Sequence, residues 1–550
     1  MNDTWQHTYD LVVAGTGVAG LSAAVTAADA GLKVLMLEST DRWGGSSAMS
    51  GGGMWLPNNP LMNRDGVGDS REDALAYLEA TVGDAGPATS RERKEAFVDG
   101  VEGFVSLVER LGIRFARASD YPDYYPERPG GKIGRALEVQ PFDVHQIGDW
   151  WETSRGQDGV PAPVKTDDFW LLSRAWSTPG GFARGAQVVF RVVGSLARRR
   201  KEVGMGAAVT AAMMDVALRL GVDVWLSAPA QELLIENGRV LGVRTTRDGQ
   251  SVRVRGARGV VLAGGGFDHN AEWRQRYQGV DGSASSGSKG NVGTAIEVGM
   301  AAGAAVDLMD DAWWGGSIPP VGDGSAGFLV SERSMPFSII VDAVGDRFAN
   351  ESESYVDLGH HMFEHFEKVP GTCWMIADAR HARRYLRSYA MDPRAIKAMI
   401  QAGVMVKAPS LTELARGISV DPNRLRATVD RFNGFARSGV DQDFGRGNSA
   451  YDRYYGDPLV RPNPNLGPLE KGPFVAVQVV TGDLGTKGGL LTDDHARVLR
   501  PDGTIIEGLY ATGNTSASVM GRTYPGPGST LGPAAVFGHL AARHAAANQQ

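Results

Sequence analysis

The chain has 550 residues, 73 of them glycine, one cysteine and a formal net charge of −7, with 42% hydrophobic and 22% charged residues. Glycine without a G-X-Y period excludes collagen, the apolar fraction excludes a disordered chain, and the lone Cys373 cannot supply a disulfide framework or a thiolate metal cluster. The length corresponds to two to four domains with large cores, and the mildly acidic balance gives no reason to expect nucleic acid as a partner.

The opening stretch MNDTWQHTYDLVVAGTG has no basic region before its short apolar run, so no secretory leader is expected. No run of about 18 apolar residues offers a membrane span. A cytoplasmic protein is the expectation, with a peripheral place on the inner face of the cell membrane left open. Residues 9–14 (YDLVVA) read as a buried strand, 17–30 as a helix and 33–38 (KVLMLE) as a second strand, which predicts a right-handed βαβ unit. Residues 72–116 read as helical, 120–180, rich in Pro, Gly, Tyr and Trp, as long loops, and 207–220 as a strong helix. LLIENGRVLGVRTT holds an Asn237-Gly238 turn signal between two strands, and RGVVLAGGGF is a strand ending in glycines. The Gly/Ser-rich stretch 279–293 reads as a loop only. Residues 310–480 change to mixed strands and helices, and the last 65 return to the strand-then-glycine style.

The first βα turn is Gly15-Thr16-Gly17-Val18-Ala19-Gly20, and Glu38 ends the second strand. Gly15 permits the tight turn, Gly17 lets main chain approach a pyrophosphate, and Gly20 lets the helix pack on the strand. A diphosphate then sits at the helix N-terminus and Glu38 accepts a ribose hydroxyl. Strand, helix, second strand and terminal acid fall in register, which makes the signal far stronger than an isolated G-x-G-x-x-G.

The segment RWGGSSAMSGGG (42–53) resembles the stretch after the second strand in the succinate dehydrogenase/fumarate reductase flavoprotein superfamily. Ala263-Gly264-Gly265-Gly266 and GLYATGN (508–514) match the same superfamily. The resemblance implies FAD, held by Gly15, Gly17, Val18, Ala19, Gly20, Glu38, Ser39, Gly44, Gly45, Ser46 and Ser47, with Ser50, Gly51, Gly52, Ala230, Ala263, Gly264, Gly265, Gly513, Asn514 and Leu531. Residues 42–53 contain no histidine, so non-covalent FAD is expected. Flavin motifs at both ends imply an α/β fold: a discontinuous Rossmann-type FAD-binding domain (1–311 and 486–550) with an inserted α+β catalytic domain (312–485). The substrate pocket is expected between them.

Fumarate-reducing members keep T-x-G-G with a histidine upstream. Here Thr486-Lys487-Gly488-Gly489 is present, but the preceding TGDLG has no histidine. The chain instead resembles, nearly end to end, the 3-ketosteroid Δ1-dehydrogenases, bacterial flavoenzymes of steroid degradation. The resemblance is carried by SGGGMWLPNN (50–59), SDYPDYYPERPGGK (119–132), LMDDAWWG (308–315), RFANESESYVD (347–357), AYDRYYGDP (450–458), GDLGTKGGL (482–490) and GNTSASVMGRTYPGPGSTLGP (513–533). It implies that Tyr524 and Gly528 bind the C3 carbonyl oxygen, that Tyr355 accepts a C2 proton, and that Tyr124 supports Tyr355. Tyr125, adjacent, stays open as the residue an alignment by eye confuses with Tyr124. A phenol O–H and a backbone N–H form an oxyanion hole for the developing enolate, with the prolines of YPGPG holding the loop. An ordinary tyrosine titrates near 10, so a neighbouring phenol is expected to stabilise the Tyr355 phenolate. Electrons then pass to an external acceptor, a quinone or a dye. The rival readings are a 3-oxo-5α-steroid 4-dehydrogenase, a fumarate-reductase-like enoate reductase and a non-catalytic flavoprotein.

Three features stand outside this scheme. Residues 187–201 (QVVFRVVGSLARRRK) join apolar positions to a basic end, and read either as an interfacial helix on anionic lipid or as a surface helix with a solvated basic end. Trp313-Trp314 reads as core or as lining of a steroid pocket. His360, His361 and His365 have no metal spacing and read as a helix face, and Cys373 as buried and inert.

Overall fold

The computed structural model describes residues 5–159, 162–322 and 324–547. Residues 1–4, the start of the stretch read for a leader, lie outside them. Strand His7–Ala14 is buried over its last four residues and pairs in parallel with Val34–Leu37 on one side and Gln250–Leu262 on the other. Asp223–Trp225 extends the sheet beyond Val34–Leu37, and Ile505–Ala511 extends it beyond Gln250–Leu262, both in parallel. Arg497–Leu499 closes that edge antiparallel. Near-continuous Val/Leu runs suit strands covered on both faces. On one face pack the helices Val18–Asp29, Arg91–Arg110, Met205–Arg219 and Leu531–Ala547, whose buried side chains share one core. Small residues bring two of them close: a Cβ on Gly538 would stand 2.4 Å from the Ala19 carbonyl oxygen. The turn between Glu232–Glu236 and Arg239–Arg247 has positive φ at both Asn237 (52°) and Gly238 (77°), the two-residue hairpin geometry expected there.

A second, antiparallel sheet comes from one stretch of chain. Its strands run in the order Gly327–Phe328, Ala312–Ile318, Phe474–Thr486, Cys373–Ala377, Ser338–Val341, with Met405–Ala408 also on Phe474–Thr486. Phe474–Thr486 pairs through its first half with Cys373–Ala377 and Met405–Ala408, and through its second half with Ala312–Ile318. Its last residues therefore deliver Leu484 to the boundary between the sheets.

The expected helix over 72–116 is two helices, Arg71–Thr81 and Arg91–Arg110. Each begins at a serine that accepts the backbone N–H three residues on, Ser70 from Asp73 and Ser90 from Arg93. The expectation of long loops over 120–180 fails. That stretch holds strand Ala136–Val139, the 3-10 segment Val144–Thr153 and helix Thr166–Leu172, and helix Pro179–Ala197 starts at its end. Pro179 sits at the first helical position, where its missing N–H costs nothing, and Thr178 accepts the Gly181 N–H at 3.0 Å. Proline and glycine there mark a helix start.

Candidate active site

One cavity of about 2430 Å³, its open mouth included, runs from the first βα turn to the second sheet. Its first half is walled by main chain. Gly15 has φ +123°, and a Cβ there would lie 2.1 Å from the Ala263 carbonyl oxygen, so strand ends His7–Ala14 and Gln250–Leu262 meet without side chains. All the expected cofactor residues line the cavity except Gly20 and Gly44. Those two shape it from behind. A Cβ on Gly20 would be 2.0 Å from the Gly15 carbonyl oxygen, and the Gly44 N–H donates to the Thr16 hydroxyl at 3.0 Å. Ser47 caps the helix from outside, its hydroxyl accepting the Val18 N–H at 3.1 Å. Glu38 is buried; it accepts hydrogen bonds from the Thr16 hydroxyl at Oε2, and at Oε1 from the Ser39 hydroxyl (3.3 Å) and the Thr40 N–H (3.1 Å) and hydroxyl (3.0 Å). Oε2, with one donor, has room for another.

The Gly/Ser stretch 279–293 is more than the loop expected. Ser286, Ser288, Gly290 and Asn291 line the cavity, and the Ser288 N–H and Asn291 amide both donate to the Ser46 hydroxyl, at 2.8 and 3.0 Å. Serine and glycine are common in any loop, so composition carried no signal of this. Glycine turns, a buried acid and inward hydroxyls along one long cleft fit a dinucleotide flavin.

The second half is walled by side chains. Tyr355 begins helix Tyr355–Lys368, and Tyr524 lies in the loop before helix Leu531–Ala547. Their rings are 4.8 Å apart. Tyr124 stacks on Tyr524 at 5.1 Å and meets Tyr355 edge to face at 5.5 Å. All four expected substrate-site residues, Tyr124, Tyr355, Tyr524 and Gly528, line the cavity. Gly528 has φ +91°, and a Cβ there would lie 2.0 Å from the Gly53 carbonyl oxygen. The YPGPG loop is thus pressed against the cofactor half, and the Trp55 N–H donates to the Gly528 carbonyl at 3.1 Å. The neighbouring strip holds the same loop: the Tyr124 N–H and the Tyr77 hydroxyl both donate to the Pro525 carbonyl, at 2.9 and 2.6 Å. Tyr125 faces elsewhere, its hydroxyl donating to Asp357 at 2.9 Å, which separates it from Tyr124.

Burial pushes the Tyr524 hydroxyl up from its ordinary value, while hydrogen bonds from Tyr355, Thr530 and the Gly528 N–H oppose the shift. Burial, and then Tyr524, push Tyr355 well above its ordinary value. Tyr124 meets Tyr355 ring to ring, and its hydroxyl pairs with Tyr121 at 3.3 Å.

Behind Tyr524 stands a charged buttress. Trp313 meets Tyr524 edge to face at 5.3 Å, and the Lys487 ammonium lies 4.9 Å from the Trp313 ring centroid. Lys487 is buried against Asp311 at 3.1 Å, and His360 takes the other oxygen of Asp311 at 2.9 Å. Burial opposes ionisation of Asp311, but Lys487 and His360 more than offset it and hold the carboxyl at about 2. Trp313 and Trp314 are core, outside the cavity lining. His361 and His365 bond Glu353 and Asp342, so the three histidines have three separate carboxylate partners. Cys373 is buried in strand Cys373–Ala377, and burial pushes its thiol up.

Several lining residues had no assignment from sequence: Tyr121, Trp170, Phe328, Glu332, Tyr454 and Tyr455. The signal for Tyr454 and Tyr455 was at hand in AYDRYYGDP. Glu332 had none.

A family described as FAD binding domain matches residues 10–531. The 3-oxosteroid 1-dehydrogenase of Mycolicibacterium smegmatis is 43% identical over 98% of this chain and 97% of its own length. The 4-oxocyclohexanecarboxylate 2-dehydrogenase of Sinomonas cyclohexanicum is 34% identical over 98% and 93%. Among solved structures, the 3-ketosteroid delta1-dehydrogenase from Sterolibacterium denitrificans, in complex with 1,4-androstadiene-3,17-dione, superposes with a TM-score of 0.92 at 36% identity, covering 99% of this chain and 100% of that one. An end-to-end match of this kind, on a glycine-walled cleft opening onto a tyrosine cluster, places the chain in the FAD-binding flavoprotein family, with the 3-oxosteroid 1-dehydrogenases.

Proposed function

We propose that the chain catalyses FAD-dependent 1,2-desaturation of 3-ketosteroids, giving 3-oxo-1,4-dienes. The observation that carries this is that Tyr355 and Tyr524, their rings 4.8 Å apart, line the cavity together with Gly528, where the aromatic half meets the glycine-walled half. A ketone oxygen placed there would take one bond from the Tyr524 hydroxyl and one from the Gly528 N–H. Those two donors stabilise negative charge on that oxygen and so acidify the neighbouring C2 proton. Tyr355, next to Tyr524, is the base for that proton. FAD, when bound, supplies the acceptor for the hydride leaving C1. Glycines 15, 17, 51, 52, 264, 265 and 513, serines 46, 47 and 50, and Glu38 would hold it, with Ser39, Ala230, Asn514 and Leu531 along the same wall. No histidine or cysteine lines the cavity among the described residues, which supports non-covalent binding.

The division into 1–311, 312–485 and 486–550 belongs to the same reading. It is supported by the antiparallel sheet built wholly from strands between Ala312 and Thr486. Reduced enzyme would pass its electrons to an external acceptor such as a quinone. No described helix is long and apolar enough to cross a membrane. A peripheral contact is supported by helix Pro179–Ala197, on which Phe182, Val189, Phe190, Val193 and Leu196 are 56–75% exposed beside the exposed run Arg198 to Lys201. Arg191 takes no part in that run, since it donates to the Pro163 carbonyl and to Asp168. Sedimentation with anionic vesicles, lost when Phe190 and Leu196 become Ser, tests the contact.

The principal test is anaerobic bleaching of the flavin by androst-4-ene-3,17-dione, with the product identified. A 1,4-dien-3-one supports the reading. Inertness toward 4-en-3-ones with oxidation of 5α-3-ketones indicates a 4-dehydrogenase, reoxidation by fumarate an enoate reductase, and no bleaching by any ketosteroid a non-catalytic flavoprotein.

A further inference from the structure

Away from the ketone-binding end, the cavity contains a buried carboxylate that the desaturation does not use. Phe328, Val330 and Glu332 line the cavity at alternate positions, while Leu329 packs into a separate core. The segment leaves strand Gly327–Phe328 and enters the 3-10 turn Glu332–Ser334 at the carboxylate. Phe328 meets Tyr355 edge to face at 5.2 Å, so the segment starts at the tyrosine cluster and leads away from it. Ser388, which bonds Glu332, is exposed, whereas Tyr124, Tyr355 and Tyr524 are buried, so the carboxylate lies toward the open end of the cavity. Glu332 is 4% exposed. Its Oε1 accepts the Ser388 N–H at 3.1 Å and also the Ser388 hydroxyl. Its Oε2 takes no hydrogen bond among the described residues. Trp170, Val330, Tyr454 and Tyr455 line the same cavity.

We infer that Glu332, held by Ser388, accepts a hydrogen bond from a hydroxyl at the end of the substrate farthest from its ketone, so that the site selects 17-hydroxy over 17-oxo 3-ketosteroids. The inference rests on reading the cavity as a 3-ketosteroid site. A carboxylate only accepts hydrogen bonds, so its free oxygen favours a donor over a second acceptor. A distal hydroxyl supplies the donor. A distal ketone presents a second acceptor, which the carboxylate cannot bond. A carboxyl group on the substrate is repelled, which separates this site from one built for small keto acids. Sites that bond a hydroxyl reject the analogue lacking it far more strongly than an apolar wall distinguishes one methylene.

The test uses FAD-loaded enzyme and two product-type ligands that bind without turnover, 17β-hydroxyandrosta-1,4-dien-3-one and androsta-1,4-diene-3,17-dione. Their Kd values are read from perturbation of the flavin spectrum, alongside kcat/KM for the two corresponding 4-en-3-ones. The hydroxy ligand should bind about 10-fold or more tightly than the dione, the range of one hydrogen bond to a charged group. Glu332→Gln should bring the ratio close to one, because an amide both donates and accepts. Ser388→Ala should lower the ratio less. Equal binding or a preference for the dione in the unaltered enzyme overturns the inference without any variant, as does a ratio that Glu332→Gln leaves unchanged. Bleaching by both substrates with equal affinity overturns this inference alone. Bleaching by neither overturns the 3-ketosteroid reading, and this inference with it.

Discussion

At one end of the cavity the wall is main chain, and at the other it is side chain. Around Gly15, Gly52 and Gly264–Gly265 the backbone turns and approaches so closely that a Cβ would collide with a neighbouring carbonyl, amide or side chain. Around Tyr124, Tyr355 and Tyr524 the backbone stands back and rings fill the space at 4.8–5.5 Å. The first construction positions N–H groups and hydroxyls and tolerates almost no change of residue. The second positions phenols, whose exchange for phenylalanine keeps the shape and removes one oxygen. Binding and chemistry should therefore separate experimentally, and Gly528, which faces both halves, is where they meet.

The largest effect expected from this division is on Tyr355. Tyr355→Phe should lower kcat by about 10²- to 10⁴-fold, the range for a lost general base, while FAD content stays unchanged. Loss of flavin in that variant would break the separation. Tyr524→Phe removes one oxyanion donor and should cost about 10²- to 10³-fold in kcat, with ligand affinity falling less. In the other half, Glu38→Gln should weaken FAD about 10- to 100-fold by titration of apoenzyme, with kcat recovered at saturating FAD. A kcat deficit that FAD does not repair would place Glu38 in the chemistry.

The smallest expected effect is on pH. Burial and Tyr524 raise Tyr355 above its ordinary value, and in the proposed reaction the phenolate is the reactive form. Its fraction therefore grows as pH rises, and kcat/KM should climb by about tenfold per pH unit through neutral and mildly alkaline conditions. A flat profile there would mean that a bound ligand lowers Tyr355, or that another step limits the rate.

The dinucleotide half was readable in order because its requirements are local. A tight turn, a close approach and an acid at a strand end each mark a position in the chain, and Gly15, Gly17, Gly20 and Glu38 stand at the marked places. The loop 279–293 was not readable, because Ser288 and Asn291 act through Ser46, more than 200 residues away. Tyr124, Tyr355 and Tyr524 were reached only through a family resemblance, since nothing in their spacing says that they meet. The pairing of the Tyr124 hydroxyl with Tyr121 was not legible either. Lys487 appeared only as the second residue of T-x-G-G. It is a buried cation behind Trp313 and Tyr524, and its partner Asp311 lies 176 residues earlier.

The sequence by itself determined the βαβ start, the discontinuous run of flavin motifs and the hairpin at Asn237-Gly238, because each depends on backbone conformation that only certain residues adopt over a few positions. Tertiary structure alone decided which of the 14 tyrosines share a pocket, that the Pro/Gly-rich stretch after residue 120 holds helices, and that Glu332, bonded to Ser388, lines the cavity. Those outcomes depend on packing between segments distant in the chain, and a side chain carries no local mark of the neighbours it will meet.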